Sequence, residues 1–437
     1  MKILFLSHSS FAGGAERCLC MLLAGLPREK YESLALLPPK GILRRRGKGD
    51  ITKTIKNMGV RTKRASLRWW VGDWTRYEPF ARGLDKRVRN IARIIQREQV
   101  QLVLSNSCVV VEGALAANRC GVPHLWYVHE MLARDPVLNP FLPPERFYTL
   151  LSTLSSKVVV VSRSVKAEIE QFGPAPKVEV LHTGIPAIVS SSFKDPKKKL
   201  FDYGADTPVV TFVGLLSRRK GVLDLIDAAG LVLADFPRAR FVLAGGDGGE
   251  ARQASRRIEM LGIQHAVQLL GVRSDVPDIL AASDVFVLPA LADPLPLAVL
   301  EAMSVGLPVV ATRSGGCEEM VLDNETGRLV PVADPKALAA AILAMLKDPS
   351  RREEMGSRGR QHFQTHFSRQ RYLRGFQRII DTAAASTPGT TDDRGRKLET
   401  LQNELKQAAT KQARQRRGEA SRTQRAIEIL RLLSMVR

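Results

Sequence analysis

Cysteine is scarce in this 437-residue chain: Cys18, Cys20, Cys108, Cys120 and Cys317 are five in number and contain no C-x-x-C pair. A disulfide framework or a closed zinc site is therefore excluded as the organising device, and a reducing compartment is expected. Long hydrophobic runs are missing as well. The run Ile3 to Leu6 stops at Ser7-His8, too short for a secretory core, and nothing approaches the roughly 18 apolar residues of a membrane span. The expectation is a cytoplasmic protein, soluble or peripheral on the inner face of the membrane. Acidic residues are also in short supply, 44 against 66 Lys and Arg, for a formal charge of +22. The excess is local: residues 40–99 hold 18 cations and 5 anions, and residues 386–437 hold 12 and 6. Basic patches on an otherwise ordinary body point to nucleic acid, an anionic membrane or an anionic substrate, and composition does not choose among them. At 44% hydrophobic and 25% charged, the chain can bury sizeable cores, and its length favours two or three domains.

What is present is a rhythm. Lys2–Ser7 reads as a strand, Gly13-Gly14 as a turn and Ala15–Leu26 as a helix. Further buried-strand runs at Gln101–Ser105, His124–Val128, Lys157–Val161 and Val178–Leu181 alternate with helical segments. Apolar runs without polar alternation indicate strands covered on both faces, hence a parallel sheet between helices. The rhythm stops between Gly184 and Pro208 and restarts with runs at Pro208–Val213, Arg240–Ala244, Ala266–Leu270, Asp284–Leu288 and Pro308–Thr312. The expected fold is α/β, two doubly wound Rossmann-like domains facing a central cleft: an N-terminal domain over 1–190 and a C-terminal domain over 191–365. A helix over 366–381 returns to the first domain. Beyond a break at 383–391, Leu398, Leu401, Leu405 and Ala408, then Ala426, Leu430 and Leu433, recur at helical spacing, so 382–437 reads as a basic tail of two amphipathic helices.

In such sheets ligands lie beyond the carboxyl ends of the strands. Three segments stand there. Gly13-Gly14-Ala15-Glu16 precedes a helix, where bare backbone N–H groups and the helix dipole suit a phosphate; a turn that merely needs flexible residues is the alternative. Arg218-Arg219-Lys220-Gly221 puts three cations after the first strand of the second domain, either to meet an anion or as a solvated turn. Asp293-Pro294-Leu295-Pro296 opens a helix whose first N–H groups, those of Leu297 and Ala298, have no intrahelical partner. Glu301, one turn on, points back at the same end. Two acceptors flanking a set of donors suit a ligand with sugar hydroxyls on either side of a diphosphate; Asp293 as a simple cap is the alternative. Glu301 lies in an apolar stretch and needs a partner. His362 and His366 read as surface residues, and His8, His182 and His265 as structural. Trp69, Trp70 and Trp74, with Tyr77 and Phe80 among many cations, suit an anionic lipid surface or a lipid-linked diphosphate, against the alternatives of a solvated loop and core tryptophans.

The Asp293–Glu301 segment resembles the E-x7-E signature of retaining nucleotide-sugar glycosyltransferases of the GT-B fold, family four. Gly13-Gly14-Ala15-Glu16, Val128-His129-Glu130, Gly214-Leu215-Leu216 to Lys220-Gly221, Gly246-Asp247-Gly248 and Ala302-Met303-Ser304-Val305-Gly306 match the same pattern, in order, over about residues 1–380. The resemblance implies that Glu301 binds the ribose and Asp293 the transferred sugar. The diphosphate would be held by Gly14, Lys220, Arg218 or Arg219 and the Leu297 and Ala298 amides. Val272 and Arg273 would lie near the base, and His129 would face the transferred sugar. It implies no metal or other cofactor, a nucleoside diphosphate sugar as donor, and a glycan or lipid-linked hydroxyl as acceptor, with nucleic acid not a partner. Three positions depart from the pattern: Asp293 replaces Glu, Leu215 stands where an arginine is usual, and Thr183 where Asn is common. Asp293 and Leu215 motivate the rival reading, a degenerate transferase scaffold that binds membrane or nucleic acid without catalysis.

Overall fold

A computed structural model describes residues 1–39, 50–134, 138–173, 177–189, 196–385 and 391–434. Thirteen strands form two parallel sheets. The first contains β1 (Lys2–Ser7), β2 (Glu32–Leu37), β3 (Arg61–Arg64), β4 (Leu102–Asn106), β5 (His124–Val128), β6 (Lys157–Val160) and β7 (Val178–Val180), in the order β3-β2-β1-β4-β5-β6-β7. The second contains β8 (Val209–Val213), β9 (Arg240–Ala244), β10 (Val267–Gly271), β11 (Val285–Leu288), β12 (Val309–Thr312) and β13 (Gly327–Val330), in the order β10-β9-β8-β11-β12-β13. Each is doubly wound, reversing direction between β1 and β4 and between β8 and β11. Ile3 to Leu6, Leu102 to Leu104 and Val285 to Leu288 have no solvent exposure, as expected for strands covered by helices on both faces.

Three strands escaped the sequence pattern. β3 (Arg-Thr-Lys-Arg) is an edge strand with no apolar run, β2 is built from the helix formers Leu and Ala, and β13 is a four-residue edge. All three are defined by pairing with a neighbour, a tertiary effect that overrides local propensity.

The helix expected over 366–381 is Arg369–Ala384, and a separate helix, Pro349–His366, precedes it. The break between the two lies where the chain leaving the first sheet meets it. Ile185 N donates to Phe367 O at 3.1 Å and Arg369 N donates to Ile185 O at 3.1 Å. A Cβ on Gly184 would stand 2.3 Å from Ser368 O, so only glycine permits this approach. The Arg369–Ala384 helix then packs on the first sheet through Tyr372 and Phe376 against Tyr127, and Asp381 accepts hydrogen bonds from Lys30 Nζ and the Tyr31 hydroxyl. A second bridge joins the halves: Glu319 accepts from Arg163 N (2.8 Å), Ser164 N (2.9 Å) and Ser164 Oγ (2.9 Å), and its Oε2 lies 2.7 Å from His182 Nε2.

The tail is one continuous helix, Thr391–Ser434, and not two. No proline follows Pro388 to interrupt it. Over its first part the seam is not free either: Leu398, Leu405, Ala409 and Ala413 are buried against the helices Tyr77–Ala81, Leu84–Arg97 and Glu112–Cys120 of the first half, while the side chains of Ala426, Leu430 and Leu433 lie outside the described residues. Lys406–Asp85 (2.7 Å), Arg417–Glu78 (2.9 Å) and Arg146–Glu404 (2.7 Å) rim the contact.

The aromatic residues read as a membrane face belong largely to the core. Trp70, Tyr77 and Phe80 are buried, and Trp70 Nε1 donates to Cys108 O at 2.6 Å. Burying each such side chain is worth roughly 1.5–3 kcal/mol, enough to draw it inward from among exposed cations. Trp69 is half-buried with Arg76 over its ring. Arg44-Arg45-Arg46 and the Trp74 side chain lie outside the described residues. Among the described residues, no helix is long and apolar enough to cross a membrane.

Candidate functional site

The carboxyl ends of β1, β5 and β6 face those of β8 and β11 across a cleft of about 430 Å³. Its lining includes Gly14, His129, Arg219, Lys220, Asp293, Leu297, Ala298 and Glu301. Residues up to 287 positions apart in the sequence thus meet in one space, after strands or within the first turns of helices.

On the second-half wall, Asp293 is held from three directions. Lys220 Nζ donates to its Oδ2 at 2.5 Å, and Arg219 Nη1 reaches the same oxygen at 3.5 Å while donating to Ala292 O at 3.1 Å. Gly221, in the left-handed region (φ +66°), lets the turn Arg218–Lys220 sit against this loop, because a Cβ there would fall 1.9 Å from Pro289 O. Leu291 N then donates to Arg219 O at 2.9 Å. From the other side Gly316 N donates to Asp293 O at 2.8 Å. Burial works against an ionised Asp293, but Lys220 and Arg219 outweigh it and hold its carboxyl below the usual range. The helix Leu297–Ser304 opens after Pro296, and Val299 N is the first to turn back, onto Pro296 O at 3.1 Å. The Leu297 and Ala298 N–H groups therefore stand at the mouth of the helix, facing the cleft they line. Glu301 is 3% exposed, and its partner comes from across the cleft: Arg17 Nη2 donates to Glu301 Oε1.

The first-half wall brings Glu16, Arg17 and Glu130 to the lining beside the neutral groups around His129. Gly13 caps the helix Gly14–Gly25, with Gly13 N donating to Glu16 Oε2 at 3.1 Å. A Cβ on Gly14 would meet nothing within 4 Å, so the fold itself does not require glycine there. His129 Nε2 lies 3.0 Å from Asn106 Oδ1, while Asn106 Nδ2 donates to Ala15 O at 3.0 Å. That pair fixes the amide orientation, so His129 carries its proton on Nε2 and keeps Nδ1 as an acceptor. Burial pushes the His129 imidazole down to about 4 against the opposing pull of Glu130, so it is neutral near pH 7. Glu130 is fixed by Ser107 Oγ (2.5 Å) and the N–H groups of His129 (3.0 Å) and Cys108 (3.3 Å).

Three expected site residues lie off this lining. Arg218 is exposed, at the outer end of its turn. Val272 is exposed on the rim beside Gly246, and Arg273 is held by Asp275, with Nε donating to Oδ1 at 2.8 Å. Thr183 is buried in the cleft wall, its hydroxyl 2.8 Å from that of Tyr127. His8, read as structural, also stands in the cleft wall. Its Nδ1 is 3.2 Å from Asn106 O, and its Nε2 is 3.2 Å from Glu16 Oε1. Its position one residue after β1 is the signal that could have found it. Arg17 carried none, because one cation in an amphipathic helix resembles any other. His182 pairs with Glu319, and His265 is exposed.

Comparison with known proteins gives a consistent result. The family described as Glycosyltransferase Family 4 matches residues 12–187, and that described as Glycosyl transferases group 1 matches residues 193–362. The lipopolysaccharide core biosynthesis glycosyltransferase LpsE of Rhizobium meliloti is 34% identical over 179 residues, which span 41% of this chain and only 51% of the relative. The alpha-maltose-1-phosphate synthase of Mycolicibacterium smegmatis is 31% identical over 283 residues, 59% of this chain and 72% of the relative. Among solved structures, Anabaena HepE in complex with UDP superposes with a TM-score of 0.73 at 23% identity, over 87% of this chain and 100% of its own, a likeness of fold.

Proposed function

The chain belongs to the glycosyltransferases of GT-B fold, and from that premise we propose that it transfers a hexosyl group from a nucleoside diphosphate sugar to a hydroxyl acceptor with retention at the anomeric carbon. The observation that carries this reading is the assembly of Asp293, Glu301, Lys220, the Leu297 and Ala298 amides, Gly14 and His129 around one cleft between the two sheets. Glu301 accepts from the ribose hydroxyls. The diphosphate lies over the helix mouth between Gly14 and Lys220, where preorganised N–H groups and a cation stabilise the charge that develops on the leaving phosphate. Asp293, kept ionised by Lys220 and Arg219, accepts a hydroxyl of the transferred sugar, and His129 Nδ1 accepts another. In this scheme the acceptor oxygen attacks from the face on which the phosphate departs, and the phosphate takes its proton. The protein supplies position and electrostatics, not a nucleophile.

The HepE complex contains UDP, which makes uridine donors the first to test. The names of the relatives support an acceptor among glycans or lipid-linked glycans. A lipid-linked acceptor would require an anionic inner membrane surface, toward which the basic segment 40–99 and the tail would draw the enzyme. The test is transfer or hydrolysis across a panel of nucleoside diphosphate sugars, with the product anomer read by NMR and vesicle sedimentation run alongside. An inverted product overturns retention. Failure of the folded protein to bind any donor overturns the enzymatic reading in favour of a non-catalytic scaffold.

A further inference from the structure

The cleft described above is short of cations for an anionic ligand. Its lining carries four carboxylates, Glu16, Glu130, Asp293 and Glu301, against three cations, Arg17, Arg219 and Lys220. Leu215 brings no charge to the phosphate loop, and Arg218 is exposed outside the lining. Arg219 and Lys220 both converge on Asp293. A diphosphate entering this space meets a net negative wall unless a cation is released to it.

One cation is placed for release. Arg17 sits in the first turn of the helix that follows Gly13-Gly14, and its guanidinium crosses to Glu301 Oε1. Its side chain is 53% exposed while that of Glu301 is 5% exposed, so the arginine is the member free to move. Glu301 is also the carboxylate that the ribose diol would occupy. A neutral hydroxyl pair can satisfy the oxygens of Glu301, and the displaced guanidinium, tethered beside Gly14 and opposite the Leu297 helix mouth, remains within the same lining.

We propose that Arg17 is a donor-phosphate-binding residue supplied across the cleft: the ribose takes Glu301 from it, and the freed guanidinium pairs with the diphosphate, making up for the charge that Leu215 does not provide. This assignment rests on the nucleoside diphosphate sugar reading above. It makes ribose and phosphate recognition interdependent, because the phosphate gains its cation only when the ribose is seated. It also ties donor binding to the approach of the two halves, since Arg17 and Lys220 come from opposite walls.

Calorimetric titration with UDP and uridine, and with GDP and guanosine, on the wild-type chain, Arg17→Ala, Arg17→Lys and Glu301→Gln tests it. The expected result for Arg17→Ala is opposite signs: nucleoside diphosphate affinity falls about tenfold or more, as for loss of a charged hydrogen bond, while nucleoside affinity is unchanged or rises because Glu301 no longer has to give up a partner. Arg17→Lys recovers part of the diphosphate affinity. Glu301→Gln weakens nucleoside and diphosphate together. Equal losses of nucleoside and diphosphate in Arg17→Ala, at an unchanged melting temperature, overturn the assignment. So does diphosphate binding that is unchanged or tighter, which would make Arg17 a mere competitor. A folded wild-type protein that binds neither pair overturns the donor reading itself, an outcome distinct from wild-type binding that Arg17→Ala leaves intact.

Discussion

The two walls of the cleft solve different physical problems. The second-half wall concentrates charge and compensates it internally: Lys220, Arg219 and Asp293 meet within 3.5 Å, on loops braced by close backbone approaches at Gly221 and Gly316. The first-half wall keeps a histidine neutral by burial and fixes it through neutral partners, Asn106 and Tyr127. One wall is built to hold a charged group in place. Around His129 the other presents oriented hydrogen-bonding groups at little electrostatic cost, as suits the part of a wall that meets sugar hydroxyls.

The largest effect expected from breaking this contrast is at Lys220. Lys220→Ala leaves a buried carboxylate with the longer Arg219 contact and the Leu295 N–H but no close cation, so stability should fall by about 3 kcal/mol, the scale for a buried ion pair broken on one side. Diphosphate affinity should fall at least about tenfold. Adding Asp293→Asn should restore the melting temperature but not the binding. If the single variant melts like the wild type, the charged wall is not compensated as described.

Next comes the acid limb of stability, a property of the first-half wall. His129 in that wall is held down to about 4 by burial, and His124, at the amino end of the strand before it and outside the cleft lining, to about 3. A histidine with its folded value depressed contributes stability that is fully present above its unfolded value near 6.5. Below that pH the unfolded chain binds a proton that the folded chain refuses, and the contribution is lost as pH falls toward the folded value. Each such histidine steepens the loss by about 1.4 kcal/mol per pH unit. Urea titrations from pH 7 to pH 4.5 on wild type and His129→Gln should differ in slope by one proton; parallel curves would show that His129 titrates freely.

A smaller effect sharpens the comparison at Gly14. Because a Cβ there meets open space, Gly14→Ala should fold with unchanged or slightly raised stability while losing about tenfold in nucleoside diphosphate affinity, or about 1.4 kcal/mol. Unchanged affinity would remove the phosphate from this corner. The smallest effect belongs to Arg218, which is exposed and outside the lining. Arg218→Ala should change both stability and affinity by less than about 0.5 kcal/mol, whereas Arg219→Ala should not be silent.

Much of this molecule was legible in its sequence, for identifiable reasons. Buried parallel strands such as Lys2–Ser7 and His124–Val128 write themselves as continuous apolar runs, and the restart after Gly184 marked a second doubly wound unit. Post-strand position, with helix geometry and the family resemblance, then picked out Lys220, Asp293, Glu301 and His129, which the tertiary structure gathers into one lining. The contact points that needed a partner from afar were not legible. β3 exists only by pairing with β2. The apolar seam of the tail reads identically whether it meets a membrane or the Leu84–Arg97 helix, since periodicity records a face but not its occupant. Trp70 sits in a run of cations, yet the space beneath Cys108 decided its burial.

Arg17 is the sharpest case. Sequence alone determined two Rossmann-like units with ligand-facing loops, because short-range pattern and turn chemistry act within each βα unit. Only the tertiary structure decided that a helix cation from one unit would close on the buried carboxylate of the other. Coulomb attraction across a cleft depends on distance in space, and the 284 positions between Arg17 and Glu301 carry no trace of it.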